Sequence, residues 1–242
     1  VGSEMCIRDR VWSNGAMTRR HRRQEDKRGN PVFTVLGVIF LVVGVGALGY
    51  VAWEYFGTNI TANQAMGDKS KNLRDEWDSA PEPEGQTEEA APEGQTTTAS
   101  YVPGDAVALL RVPRFGDDYE VPIVAGTDVE SLKEGVGWYD ASVGPGEIGN
   151  FALAGHRITN GEPFAKALEL QPGDEVIVET RDAIYTYTMD TSPADLTVED
   201  TETWVLDPVP GKPDETPTKA IITITTCQDL FHSVDRSIGF GT

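Results

Sequence analysis

The chain contains one long stretch without a charged residue, at positions 32–53. As an α-helix these 22 residues would be about 33 Å long, which is close to the thickness of the hydrocarbon core of a bilayer. The apolar run is longer than that of a typical secretory signal, and no small-residue cleavage site follows it. We therefore expect a single transmembrane helix that remains part of the protein.

The residues before this helix are strongly basic. Six basic side chains precede it within a short stretch: Arg19, Arg20, Arg22, Arg23, Lys27 and Arg28. By the positive-inside rule the N-terminus lies in the cytoplasm and everything after residue 53 lies outside the cell. The predicted location is the cell membrane, with one span and an extracellular C-terminal part.

The remainder of the chain divides into four parts. Residues 1–16 show no periodicity and look like a translated adaptor, so we expect a non-native leader and a start at Met17. Residues 17–31 are the basic cytoplasmic segment. Residues 54–100 are polar, acidic and poor in large apolar side chains; they cannot bury enough surface to offset their ordering entropy, which predicts a disordered stalk. Residues 101–242 have the length of one domain.

Charge is distributed unevenly along the chain, whose formal net charge is −19. Residues 1–53 carry 8 basic and 4 acidic side chains, whereas residues 54–242 carry 12 basic and 35 acidic ones. An exterior part this acidic is not expected to bind nucleic acid. Because it holds a single cysteine, it cannot form an internal disulfide.

The exterior domain has the pattern of an all-β protein. Its short apolar or alternating segments are separated by turn residues, and only two short helices are expected, around 129–133 and 163–168. Many short strands at this spacing predict a closed or nearly closed β-barrel. The predicted strands are 107–112, 119–124, 151–154, 175–179, 183–189, 219–227 and 233–240.

Cys227 ends an aliphatic and β-branched segment at residues 220–227. Such a composition favours a buried strand, which would present the thiol at its C-terminal end. A free thiol with a pKa of about 8.5 is only slightly ionised at neutral pH, so a catalytic cysteine needs a base or a cationic neighbour. The alternative is an inert, buried cysteine.

Two histidines lie outside the membrane in this topology. His156 follows the apolar segment 149–155 and would stand, like Cys227, at a strand end, so the two side chains could meet at one mouth of a barrel. His232 lies in an acidic loop soon after Cys227 and is the less favoured candidate. His21 is excluded because it lies on the cytoplasmic side.

Arg236 begins the last predicted strand. If the preceding loop folds back as a hairpin, Arg236 lies beside Cys227 and could donate hydrogen bonds to a carbonyl oxygen that becomes negative. A surface arginine paired with Asp229 or Asp235 is equally consistent with the spacing.

Several motifs together resemble one known family. Residues 223–227 are similar to the Thr-Leu-x-Thr-Cys signature of sortases, with isoleucine in place of leucine, and residues 149–157 resemble the segment that carries the sortase histidine. Gly-Trp-Tyr at 137–139, the turn at 145–147 and the separation of Arg236 from the cysteine agree. The chain most resembles class E sortases, which are membrane-anchored housekeeping transpeptidases of Gram-positive bacteria.

This resemblance implies a closed eight-stranded sortase-type barrel with one or two short helices. It also implies Cys227 as nucleophile, His156 as general acid and base, and Arg236 as the group that stabilises the oxyanion and clamps the substrate. Thr225 and Thr226 of the signature are expected to line the substrate site. No metal and no cofactor are expected.

The resemblance implies the substrates as well. They would be secreted proteins with a C-terminal Leu-Pro-x-Thr-Gly or Leu-Ala-x-Thr-Gly sorting signal, cleaved between threonine and glycine through a thioester. A cell-wall amine, from a peptidoglycan precursor or a pilin lysine, would then take over the protein.

Three alternatives stay open at this point. One is a pilus-polymerising sortase. Another is an L,D-transpeptidase or a different cell-wall cysteine peptidase, although L,D-transpeptidases place histidine and glycine directly before the cysteine, where this chain has Thr225 and Thr226. The third is a non-enzymatic surface module in which Cys227 is a packing residue.

Overall fold

The computed structural model describes residues 31–53, 57–79, 101–227 and 234–242. Helix α1, Pro31–Ala52, is 22 residues long and apolar enough to cross a membrane, and none of its side chains is buried. The apolar helix predicted at 32–53 is thus confirmed, with both ends shifted by one residue. Its length and composition fit a membrane anchor or a signal sequence.

A second compact unit begins at Leu48, near the end of α1, and continues to Thr242. It contains helix α2, Thr58–Ser79, and one mixed sheet of nine strands. The strands are β1 Ala106–Arg111, β2 Glu120–Ala125, β3 Val136–Trp138, β4 Gly149–Gly155, β5 Glu175–Glu179, β6 Ile184–Thr188, β7 Thr197–Glu199, β8 Ala220–Cys227 and β9 Asp235–Gly241.

The strand order is β6-β5-β1-β2-β3-β4-β8-β9-β7. The pairs β2–β3 and β4–β8 are parallel, and the other pairs are antiparallel. The end strand β6 also reaches the end of β9, because Thr188 and Thr242 exchange two backbone hydrogen bonds of 2.8 and 2.9 Å. Met189 and Gly241 form a bridge beside them.

The sheet differs from the predicted eight-stranded barrel in the number of its strands. Strands β3 and β7 have three residues each, which is too short for an alternating pattern to be visible in the sequence. Since the strand order begins at β6 and ends at β7, closure into a barrel stays a prediction. The two predicted helices are single 3₁₀ turns, Ser131–Lys133 and Ala167–Glu169.

The hydrophobic core lies on one face of the sheet. Its large, fully buried side chains come from strands that are far apart in the sequence, and from the segment between β4 and β5. They include Leu110, Ile123, Phe151, Leu153, Phe164, Leu170, Ile222 and Ile224.

Helix α2 corrects the prediction of a disordered stalk at 54–100. Ala62, Met66 and Leu73 are buried, and their spacing places them on one face of the helix, which packs on β1 and β2. The guanidinium of Arg74 donates to the carboxylates of Glu120 and Glu179. Composition suggested disorder because the segment has few apolar residues, but three of them line one face of the helix and meet the sheet. Residues 80–100 lie outside the described residues.

Candidate active site

The sheet brings the ends of three strands together at one edge. Strands β4 and β8 are parallel and in register up to Gly155 and Thr226, so both end at this edge. Strand β9 runs antiparallel to β8 and begins there, with Arg236 directly opposite Cys227. His156 comes one residue after the end of β4. The three residues predicted for catalysis therefore lie at the ends of three neighbouring strands.

Side-chain alternation places Cys227 on the sheet face opposite the hydrophobic core. Ile222 and Ile224 of β8 point into the core, so Thr225 and Cys227 lie on the other face. Arg236 shares this face as the cross-strand partner of Cys227. If the β4–β8 register is continued by one residue, His156 becomes the neighbour of Cys227 on the other side.

Cys227 is a free, half-buried thiol. Its backbone carbonyl accepts a hydrogen bond of 3.2 Å from Nη1 of Arg157. This contact ties the residue after His156 to the backbone of Cys227. Arg157 did not emerge as a site residue from the sequence, and its only signal there is its position directly after the histidine.

His156 is half-buried, and its Nε2 atom is buried without a hydrogen-bond partner among the described residues. Its backbone carbonyl accepts a 2.9 Å hydrogen bond from the N–H of Phe164. Burial, and after it the positive charge of Lys133, lowers the pKa of His156. The imidazole is therefore held in the neutral form at neutral pH, with one ring nitrogen available to exchange a proton with a partner.

Arg236 is half-buried at the start of β9. Its Nη1 donates to the backbone carbonyl of Asp235 at 3.2 Å, and its Nη2 lies 3.9 Å from Oδ2 of Asp200. The other candidates, Asp229 and His232, lie outside the described residues.

Thr225 and Thr226 are both buried, and their hydroxyls are used within the sheet. Thr225 donates to the carbonyl of Leu153 at 3.0 Å, and Thr226 donates to that of Gly155 at 2.9 Å. These bonds tie β8 to β4 directly behind the site. A contact between either hydroxyl and a substrate stays a prediction.

The described residues contain no group of three His, Cys, Asp or Glu side chains that could hold a metal ion. What the site offers is a thiol, a neutral imidazole and a guanidinium at one sheet edge. That set is suited to acyl transfer through a covalent intermediate.

Comparison with known proteins decides the family. The sortase domain family matches residues 110–242, a range that includes all three strand ends and is more than half of the chain. The chain belongs to the sortase family. Sortases are cysteine transpeptidases, so the reactive groups at the sheet edge agree with the chemistry of the family.

Individual relatives confirm the resemblance to class E. Sortase SrtE1 of Streptomyces coelicolor is 33% identical over 218 residues, which is 85% of this chain and 55% of that protein. This chain therefore spans little more than half the length of that relative. The structure of sortase E from Streptomyces avermitilis is 37% identical with a TM-score of 0.51, and the match covers 58% of this chain and 89% of that one.

A solved sortase whose name does not assign it to class E also supports the fold. The SrtA sortase from Actinomyces oris matches with a TM-score of 0.54 at 33% identity, over 64% of this chain and 86% of that one. The mixed sheet described above is thus the sortase fold.

Proposed function

We propose that this protein is a membrane-anchored cysteine transpeptidase that attaches secreted proteins to the cell wall. Its substrates carry a C-terminal Leu-Pro-x-Thr-Gly-like or Leu-Ala-x-Thr-Gly-like sorting signal, which is cut between threonine and glycine. The observation that carries the proposal is the strand register, which sets Cys227 beside Arg236 and next to the end of β4, where His156 stands.

The first half-reaction forms a thioester. Neutral His156 first takes the proton of the Cys227 thiol and becomes an imidazolium. The resulting thiolate attacks the threonine carbonyl carbon, a C–S bond forms as the carbonyl π bond opens, and the oxygen becomes an oxyanion that accepts hydrogen bonds from Arg236. The intermediate then collapses, the C–N bond to glycine breaks, and His156 gives its proton to the departing amine.

The second half-reaction transfers the protein. A cell-wall amine, from a peptidoglycan precursor or a pilin lysine, attacks the thioester carbonyl while His156 takes up the amine's proton. A new amide bond forms and the sulfur of Cys227 leaves. Two acyl transfers replace one direct exchange of amides, which is the advantage of covalent catalysis.

The apolar helix and the charge distribution support a reaction outside the cell. In this proposal α1 is the membrane anchor, the basic residues before it stay in the cytoplasm, and the sheet domain lies on the outer side. Secreted proteins and cell-wall amines are both available there.

The proposal is tested with the full chain in detergent, a panel of sorting-signal peptides and an amine acceptor. We expect cleavage between threonine and glycine, formation of the amide, and a trapped thioester on Cys227 in the mass spectrum. Cys227→Ala abolishes all three. Equal cleavage by the alanine variant would refute the assignment. Supplying a peptidoglycan-type amine and a lysine-containing pilin peptide in parallel separates wall anchoring from pilus assembly.

Thr226→Val tests the proposed substrate role of the signature threonines. The variant loses the bond to the Gly155 carbonyl, so its melting temperature falls in either case. If the hydroxyl also contacts the substrate, KM rises as well. If the Gly155 carbonyl is the only partner, KM stays unchanged.

A further inference from the structure

The loop that follows His156 has a backbone conformation that needs support. Asn160, Gly161 and Glu162 are consecutive residues with positive φ angles of 51°, 82° and 53°. Residues other than glycine seldom adopt this region, and they stay in it where surrounding contacts fix them. The loop closes on His156 itself, whose carbonyl accepts the hydrogen bond from Phe164.

Helix α2 supplies such contacts through Asn59. The Oδ1 atom of Asn59 accepts a hydrogen bond from the Gly161 N–H at 3.0 Å. Its Nδ2 donates to the carboxylate of Glu162 and, at 3.5 Å, to the carbonyl of Ile158. The methyl group of Met66 also lies against this loop, since a Cβ added to Gly161 would be 2.0 Å from it.

We propose that Asn59 is a positioning residue for His156. By fixing the loop directly after the histidine, it holds the imidazole at the place beside Cys227 that proton transfer requires. The inference rests on the proposed function, because it assigns Asn59 to the same reaction. Misplacement of a catalytic group by about 1 Å is enough to cost two orders of magnitude in rate.

Arg74 on the same helix provides a matched control. It contacts Glu120 and Glu179, which lie on β2 and β5 and not in the loop after His156. A loss of Arg74 therefore weakens the docking of α2 on the sheet and leaves the contacts of Asn59 with the loop in place. The two substitutions separate positioning from general stability.

The first experiment measures peptide cleavage by the full chain in detergent. We expect Asn59→Ala to lower kcat by about tenfold or more with KM changed by less than about twofold. Arg74→Ala lowers the melting temperature and keeps kcat within about twofold of wild type. A wild-type kcat in Asn59→Ala, or an equal loss of kcat in Arg74→Ala, overturns the proposal.

The second experiment exchanges donor and acceptor between Asn59 and Glu162. Asn59→Asp alone sets two carboxylates against each other and is expected to be at least as slow as Asn59→Ala. Adding Glu162→Gln provides an amide that can donate to the new carboxylate at position 59. The double variant should therefore recover kcat to within about threefold of wild type. Glu162→Gln alone keeps an acceptor for Asn59 and stays active. A double variant no faster than Asn59→Asp contradicts the proposal.

A third readout does not depend on the substrate. The chain has three histidines, so the imidazole C–H signal of His156 in a histidine-labelled sample is assigned by its loss in His156→Gln. Asn59→Ala shifts this signal and Arg74→Ala does not. If the wild type cleaves no sorting peptide, the proposed function fails, yet this spectrum still decides whether Asn59 positions His156. An unshifted signal in Asn59→Ala refutes it.

Discussion

Cys227 and Arg236 are direct partners across the antiparallel strands β8 and β9, so the sulfur and the guanidinium start from the same face of one strand pair. Directly opposed residues hold their Cβ atoms about 5 Å apart. The separation of the two residues at the backbone is thus set by a strand ladder and not by the loop that connects the strands. His156 depends on a loop instead, which explains why it needs support from another element.

Arg236→Ala is expected to lower kcat/KM by about 10²–10³-fold, because one donor to the oxyanion is lost. The melting temperature should stay close to that of wild type, since Arg236 is half-buried at the start of a strand and its ion pair with Asp200 is long, at 3.9 Å. Arg114→Ala is the control, because it also removes an arginine but one that pairs with Asp174 and is not a candidate site residue. A loss of less than about threefold in Arg236→Ala would remove it from the mechanism.

The pKa of His156 should be measurably below its ordinary value of 6.5, because burial and then Lys133 disfavour the charged imidazole. Lys133→Gln is expected to raise this pKa while leaving it below 6.5, since burial is the larger cause. An NMR titration of the imidazole gives both values. Lys212→Gln, which removes an exposed lysine paired with Glu215, should leave the pKa unchanged.

The same shift predicts how stability depends on pH. Below about 6.5 the unfolded chain binds a proton at His156 that the folded protein still excludes, so this contribution to the free energy of unfolding falls as the pH drops from 6.5 towards the folded pKa. Above 6.5 the contribution is fully present. His156→Gln should flatten the pH dependence of the melting temperature below pH 6.5. An unchanged slope would contradict a lowered pKa of His156 in the folded protein.

Gly155→Ala is expected to destabilise the protein by about 1–3 kcal/mol. A Cβ at this position would lie 2.5 Å from the ring of Phe164, which is fully buried and cannot move aside freely. Thermal unfolding measures the loss, and Phe164→Leu in the same chain should recover part of it. Gly67→Ala is the control, because its Cβ would meet no atom within 4 Å, and it should stabilise α2 by about 0.5–1 kcal/mol.

Arg74→Ala should lower the free energy of unfolding by about 1 kcal/mol, because the side chain joins α2 to carboxylates on two strands. The partners are partly exposed, which limits the effect. Chemical unfolding at low and high salt measures it, and salt should reduce the difference from wild type. Lys71→Ala removes an exposed charge from the same helix and should have no comparable effect.

Much of the site was predictable because its signals are local. The β-branched run at Ala220–Cys227 predicted a strand with a terminal thiol, and the apolar run at Gly149–Gly155 predicted the strand before His156. The meeting of the two strand ends was an expectation from barrel geometry and from the family resemblance. The supporting residues Arg157 and Asn59 were not found, since their partners are 70 and about 100 residues away in the chain.

Local patterns in the sequence predicted the apolar helix, most of the strands, and Cys227, His156 and Arg236 as candidate site residues, because charge, periodicity and residue type act over a few neighbouring positions. The ninth strand of the sheet, the docking of helix Thr58–Ser79 and the hydrogen bonds of Asn59 to the loop after His156 became visible only in the folded chain. These features depend on surfaces and hydrogen-bond partners that chain folding brings together from distant positions, and no local pattern encodes them.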